Sequence, residues 1–251
     1  MDSLTTRMKG MLVSLSTPAE CPACKGFGVL ETPDGRRLVA CSCRQGVASE
    51  GRRRGARIPE RYRGCSLANY NGVTESQRAA KALARRYVES YPAVSAGLLI
   101  FGPVGVGKTH LAAAILAELV DARGARGLFV DFTDLFDRIQ ASYARGNDES
   151  TEEILGPLRD VEVLVLDELG ARRPTDWVRD VLYGVLNMRY NKKRTTIITT
   201  NFTDQADKPG VETLEVRVGS AVRSRLYEMC QLVTIAGPDF RKEVKQGRAF
   251  A

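Results

Sequence analysis

Gly102-Pro103-Val104-Gly105-Val106-Gly107-Lys108-Thr109 decides how the rest of the chain is read. The octet has the form G-x-x-x-x-G-K-T. It lies between a short apolar run, residues 97–101, and an Ala- and Leu-rich run that opens at Lys108. Each residue type has a job in holding phosphate. The glycines let backbone N–H groups turn inward, Lys108 brings a compact cation to the β- and γ-phosphates, and the Thr109 hydroxyl is a magnesium ligand. A helix opening directly behind the loop points its positive end at the same phosphates. The expected ligands are ATP or ADP with Mg²⁺.

Outward from this loop, strand and helix patterns alternate. Helices are expected at residues 76–91 and 108–123, and strands at 97–101 and 127–132. Thr133 is placed to cap a helix with Leu135, Phe136, Ile139 and Tyr143 on one face. A polar stretch, 145–151, precedes another short helix. A third strand covers 161–166, apolar except for Glu162, and Thr175 caps a helix that buries Val178, Val181, Leu182, Val185 and Leu186. A fourth strand covers 195–200. A helix around 214–229 leads to a fifth strand near 231–235. This alternation predicts an α/β fold, a mostly parallel five-stranded sheet with helices on both faces.

Three further features fit the loop. The third strand ends in Asp167-Glu168, and acids at the carboxyl end of a buried parallel strand face the ligand crevice. Asp167 is expected to hold magnesium and Glu168 to act as general base on the attacking water; the plainer alternative is a helix cap. Asn201, after the fourth strand, is placed to orient that water or sense the γ-phosphate, although Thr-Asn also makes ordinary turns. Arg223 and Arg225 precede the last strand. Either an arginine there reaches a neighbouring subunit's nucleotide, or it is a surface residue paired with Glu228 or Asp180.

Composition narrows the setting. The 251 residues are 43% hydrophobic, enough for one α/β domain and a small appendage. No apolar run is long enough to span a membrane. The first 17 residues lack the apolar core and cleavage site of a secretory signal, so a cytoplasmic location is expected. The net charge is +7, and residues 36–63 hold nine arginines, two glutamates and no lysine. A polyanionic partner, nucleic acid first, or a solvated linker explains such a block.

Four of the six cysteines, Cys21, Cys24, Cys41 and Cys43, form a C-x-x-C and a C-x-C pair within residues 21–43. In a reducing compartment this spacing reads as a four-thiolate Zn²⁺ knuckle closed by the hairpin-like stretch 26–39. Lys25, Arg36, Arg37 and Arg44 would offset thiolate charge. A redox pair and an iron–sulfur cluster remain alternatives. Cys65 and Cys230 read as small buried hydrophobes. His110, Trp177, Phe129, Phe132 and Phe136 read as packing residues. The expected organisation is a tail, knuckle and arginine-rich linker over 1–60 and an ATPase domain over 61–251.

The P-loop, together with L-V-L-D-E-L-G, T-D-W, N-M-R-Y, I-I-T-T-N and S-R-L-Y-E-M-C, resembles the DnaC/IstB family of AAA+ ATPases. The approach segment I-P-E-R-Y-R-G-C-S-L at 58–67 does too. The likeness covers about residues 21–241 and is strongest to bacterial and phage helicase loaders with a cysteine module in front. It implies that Asn201 is the sensor-1 residue and Arg225 the arginine finger, with Arg223 and Arg217 as nearby alternatives. It also implies that the sensor strand lies between the P-loop and acidic strands, and that helices within 133–160 meet single-stranded DNA. Many relatives have Asp-Asp where this chain has Asp167-Glu168, which favours competent hydrolysis. With about fifteen residues after the last strand, no full C-terminal lid is expected, and Arg241 is the one candidate for a sensor-2 role.

The implied function is an ATP-dependent DNA-replication protein. It would assemble with itself, bind single-stranded DNA and place a hexameric replicative helicase. An IstB-like transposition helper, binding duplex DNA and a transposase, is the alternative. A nucleotide-gated adaptor that barely hydrolyses is a third. A small-molecule kinase would leave Asn201, Arg225 and the cysteines unexplained.

Overall fold

Two periodicities built into the sequence organise the fold. Strand residues alternate between faces, and helices bury a stripe at every third or fourth position. In the computed structural model the described residues are 21–32, 35, 37–41, 43, 51–142, 150–204 and 212–244. Tyr143, Arg36, Arg44, most of the polar stretch 145–151 and the first 20 residues lie outside them. The chain divides into two units, Met1–Arg54 and Gly55–Ala251. In the first, β1 (Val29–Glu31) and β2 (Leu38–Ala40) pair antiparallel, Val29 opposite Ala40.

The second unit is built on a five-stranded parallel sheet, order β4-β5-β6-β3-β7. Its strands are β3 (Gly97–Phe101), β4 (Gly127–Asp131), β5 (Val163–Asp167), β6 (Thr195–Thr200) and β7 (Cys230–Thr234). The helices are α1 (Glu75–Ser90), α2 (Lys108–Ala122), α3 (Phe132–Ala141), α4 (Thr151–Asp160), α5 (Asp176–Asn191), α6 (Leu214–Val218) and α7 (Ser220–Met229). Leu98, Ile100, Val163, Val165 and Ile197 join α1 and α2 in one core cluster. Leu99, Leu164, Leu166 and Ile198 join α3 to α7 in the other. The sheet is therefore apolar on both faces, as a parallel sheet requires. Each fully buried aliphatic side chain contributes about 1.5–3 kcal/mol. The free edge of β4 is covered by the segment before α1, where the Phe129 N–H donates to the Ala56 carbonyl at 2.7 Å.

The strand between the P-loop strand and the acidic strand is β6, so Asn201 is delivered between Lys108 and Asp167. Local chemistry differs from expectation in three places. Asp131, not Thr133, caps α3: its carboxylate accepts from the N–H groups of Thr133 and Asp134. The carboxylate is the stronger acceptor, and its position at the strand end lets the helix start two residues earlier. The helix expected over 214–229 is two helices, because Gly219 (φ 89°) interrupts it. Trp177, expected in the core, is 40% exposed, because it lies at the first turn of α5 on the side away from Val178 and Leu182. Thr175 caps α5 as expected.

One buried charge ties the sheet to its helices. Arg189, on α5, is completely buried. It donates to the carbonyls of Leu158 (2.7 Å), Val161 (2.9 Å) and Thr195 (2.5 Å) and to the Thr196 hydroxyl (3.0 Å). Burial pushes its pKa down to about 9. Neutral oxygens alone hold this guanidinium, linking the end of α4 to the starts of β5 and β6.

Candidate nucleotide site and metal knuckle

The site begins at three glycines whose backbones no other residue adopts comfortably. Gly102, Gly105 and Gly107 have φ of 155°, 82° and 97°. A Cβ on Gly102 would lie 1.9 Å from the Ile235 carbonyl oxygen, and one on Gly105 2.0 Å from Asp239 Oδ1. The loop is thus clamped from outside by the chain leaving β7. The Ile235 N–H donates to the Phe101 carbonyl at 2.9 Å, and the Phe240 N–H to the Gly105 carbonyl at 3.1 Å. The Val106 carbonyl is held by Gln77 Nε2 at 3.1 Å and by the Tyr70 hydroxyl at 3.5 Å. Gln77 also completes the capping box of α1 with Thr74.

Inside the loop, Lys108 is largely buried. Its ammonium donates to the carbonyls of Gly102 (2.9 Å) and Pro103 (2.7 Å) and to Asn201 Oδ1 (2.6 Å). Burial lowers its pKa to about 8, against the pull of Asp167 and Glu168. The short contact to Asn201 joins two residues 93 positions apart.

Asp167 ends β5 and is 3% exposed. Burial raises its pKa to about 6, opposed by hydrogen bonds from Thr199 and Thr109. The Thr199 hydroxyl donates to Asp167 Oδ1 at 2.5 Å and accepts from the Glu168 N–H at 3.0 Å. One buried hydroxyl therefore positions both acids. Glu168 sits in the left-handed region (φ 57°), a conformation of non-glycine residues that recurs at active sites. Thr199 was missed as a site residue; the signal was the polar run that follows the two buried isoleucines, I-I-T-T-N.

Lys108, Thr109, Glu168 and Asn201 line a cleft of about 640 Å³, while Asp167 and Thr199 stay buried. The P-loop, Glu168 and Asn201 form one end. Arg61, Tyr62, Tyr70 and Val73, from the segment before α1, line another part, and Phe240 and Arg241 reach in from beyond β7. Arg241 is near enough for its charge to oppose that of Lys108. Cys65 also lines the cleft and is only half-buried, unlike Cys230. His110 is half-buried, with its ring edge-on to Tyr70 at 5.3 Å and Nε2 3.0 Å from Asn69 Oδ1. Phe129, Phe132 and Phe136 are core residues.

Arg225 is absent from the lining of this cleft. It lies on α7, where Nη1 donates to Glu228 Oε2 at 2.5 Å and the guanidinium stacks on the Tyr190 ring at 4.5 Å. Its neighbours are anchored in the same style. Arg223 pairs with Asp204 and stacks on Tyr227 at 4.9 Å, and Arg217 pairs with Glu212 at 2.6 Å and stacks on Phe202 at 4.5 Å.

In the first unit the four cysteine sulfurs all lie within 4.8 Å of one another. Cys21 and Cys41 sulfurs are 3.8 Å apart, and those of Cys24 and Cys43 3.4 Å. Four thiolates around one zinc at about 2.3 Å have sulfur–sulfur edges of about 3.8 Å. The set fits one tetrahedral ion and is too tight to enclose a multi-iron core. The backbone prepares it: Lys25 and Gly26 take positive φ, the Gly28 N–H donates to Cys24 Sγ at 3.2 Å, and the hairpin returns Cys41 to the knuckle. Backbone N–H groups of Cys24 and Ala23 lower the Cys21 thiol to about 6, toward the thiolate a metal needs, while desolvation and the neighbouring sulfurs push Cys43 up.

Known proteins place this architecture. The model of a family described as IstB-like ATP binding protein matches residues 52–248. The chain is similar to the replicative helicase loader DnaC of Escherichia coli strain K12, at 33% identity over 140 residues. That alignment spans 56% of this chain and only 56% of the relative. Among solved structures it is similar to a DnaC helicase loader, at 36% identity and a TM-score of 0.62, over 70% of this chain and 99% of that one. It is also similar to DnaI, at 31% identity and a TM-score of 0.59, over 71% of this chain and 95% of that one. The fold is that of the P-loop AAA+ ATPases. Among the described residues no helix is long and apolar enough to cross a membrane.

Proposed function

The chain belongs to the family of IstB-like ATP binding proteins, and from that premise we propose that it is a magnesium-dependent ATPase that loads a hexameric replicative helicase onto single-stranded DNA in the cytoplasm. The observation that carries the ATPase reading is the convergence of Lys108, Glu168 and Asn201 on one cleft, with the buried Asp167 tied to Glu168 through Thr199. Lys108 meets the β- and γ-phosphates, and the backbone of 102–109 cradles them. Thr109 and Asp167 would hold magnesium, whose charge offsets that of the phosphate oxygens. Glu168 takes a proton from the attacking water, and Asn201 orients that water against the γ-phosphate.

Arg225 does not line its own P-loop cleft, which suits a residue acting on a second copy's nucleotide. ATP then bridges two chains and favours assembly. Cys21, Cys24, Cys41 and Cys43 would hold one zinc. The helices α3 and α4 would meet the DNA, so binding weakens with salt as phosphate counterions are released.

The loader reading is favoured by the likeness to DnaC over most of the ATPase unit. The IstB-like transposition helper, which binds duplex DNA and a transposase, is the second reading, favoured by the family description. The deciding experiment is capture of partners from the native cell with ATP present. Retention of a hexameric helicase, with phosphate release stimulated by single-stranded DNA, supports the loader. Capture of a transposase, with stimulation by duplex DNA alone, overturns it.

A further inference from the structure

Arg225 is restrained on every side. Glu228 is bridged through both oxygens: Oε2 accepts from Arg225 Nη1 at 2.5 Å, and Oε1 accepts from the Tyr190 hydroxyl at 2.5 Å. The Tyr190 ring lies under the guanidinium at 4.5 Å, and Tyr183 engages it as well. The side chain is only 18% exposed, yet its Nε–H is buried with no acceptor among the described residues. The guanidinium is thus folded onto its own chain with one donor unused.

This arrangement is not what the fold needs for stability. The Glu228 side chain is 49% exposed, and a screened i,i+3 ion pair adds little to a folded state. Arg189 shows how the same chain holds an arginine for structure: completely buried, bonded to neutral backbone oxygens, with no acid. Arg225 is instead held by an exchangeable carboxylate, and a phosphate can compete for it. A phosphoryl group carries more charge than one carboxylate, and can also accept from the unused donor.

The geometry points to a latch: Tyr190 fixes Glu228, Glu228 holds Arg225 against its own chain, and Arg225 is released only to a phosphate presented by a second copy of the chain. Tyr190 and Glu228 are positioning residues in this scheme, and they raise the threshold for assembly-dependent hydrolysis. The inference rests on the reading above that Arg225 acts in trans.

The test measures phosphate release against protein concentration, with melting temperature as a check on folding. Glu228→Gln keeps the side chain's shape and removes its charge. It is expected to raise turnover below the assembly midpoint by roughly threefold, the worth of one partly exposed ion pair, and to lower that midpoint by a similar factor. Tyr190→Phe keeps the ring under Arg225 and loses only the bond to Glu228, so a smaller gain in the same direction is expected. The double variant Arg225→Ala, Glu228→Gln should match Arg225→Ala alone. A merely structural pair would not give a gain of activity that vanishes with Arg225. Reduced turnover in Glu228→Gln at an unchanged melting temperature, or no change in either variant while Arg225→Ala abolishes turnover, overturns the latch and leaves the trans reading standing. Full assembly-dependent turnover in Arg225→Ala overturns the trans reading itself.

Discussion

The cleft floor and the arginines of α6 and α7 hold charge in opposite ways. On the floor, Lys108 is tied to two carbonyls and Asn201, and Asp167 to the hydroxyl of Thr199, all within the core. On the two helices, Arg217, Arg223 and Arg225 are each paired with an acid and stacked on an aromatic ring, partly open to solvent. Buried neutral partners fix a charge in place, because no water competes and any displacement leaves a polar atom unpaired. Partly exposed acids hold a charge less firmly, because water and other anions can compete for it. The first suits a centre that must be preorganised, and the second a contact that must be remade between molecules.

The sharpest way to break this comparison is at its most committed residue. Glu168→Gln should bind ATP as the wild type does and lose about 10²–10⁴ in turnover, the usual worth of a general base. Nucleotide titration beside phosphate release reads both, and normal turnover would remove Glu168 from that role. Next comes the exchangeable side. Arg225→Ala should bind ATP normally and lose about 10³ in assembly-dependent turnover. Mixed with Lys108→Ala, which lacks the phosphate cation, it should regain part of the activity, because one mixed interface pairs an intact loop with an intact arginine. No recovery in mixtures shown to co-assemble sinks the trans role.

The hydroxyl that links the two acids tests the floor from beneath. Thr199→Val preserves shape and deletes both bonds, so turnover should fall about 10- to 100-fold, as for other residues that orient a site from behind. An unchanged rate would mean that the strand alone positions Asp167 and Glu168. The smallest effect on the cleft is expected from the knuckle, which contributes none of the cleft's lining residues among the described residues. Protein purified without added zinc should carry one equivalent by metal analysis. Cys21→Ser and Cys41→Ser should each lose it while nucleotide affinity stays unchanged. A full equivalent retained in both would refute the ligand set.

Much of this was legible in the sequence, for identifiable reasons. The P-loop needs glycine, lysine and threonine at fixed offsets, so its spacing survives in the letters. The five strands declared themselves as apolar runs, and Thr175 declared a cap. The misses were local competitions. Thr133 and Asp131 are both good caps, and only the end point of β4 chose Asp131. Gly219 lay unnoticed inside a helical pattern that it divides. Trp177 looked like core by residue type, but the rotation of α5 about its axis left it at the surface.

The sequence by itself determined the chemistry available: a phosphate loop, a strand ending in two acids, four thiols in a knuckle, and arginines before the last strand. Their types and offsets along the chain are covalent facts, and local backbone rules turn them into motifs. Only the tertiary structure decided which of these groups meet. Asn201 reaches Lys108 because β6 lies between β3 and β5, and Thr199 reaches Asp167 for the same reason. Arg189 and Arg225 are the same side chain 36 positions apart in the chain. One is sealed among carbonyls and the other is held by a surface carboxylate. Burial and neighbours, which no single position encodes, made one a structural tie and the other a contact open to exchange.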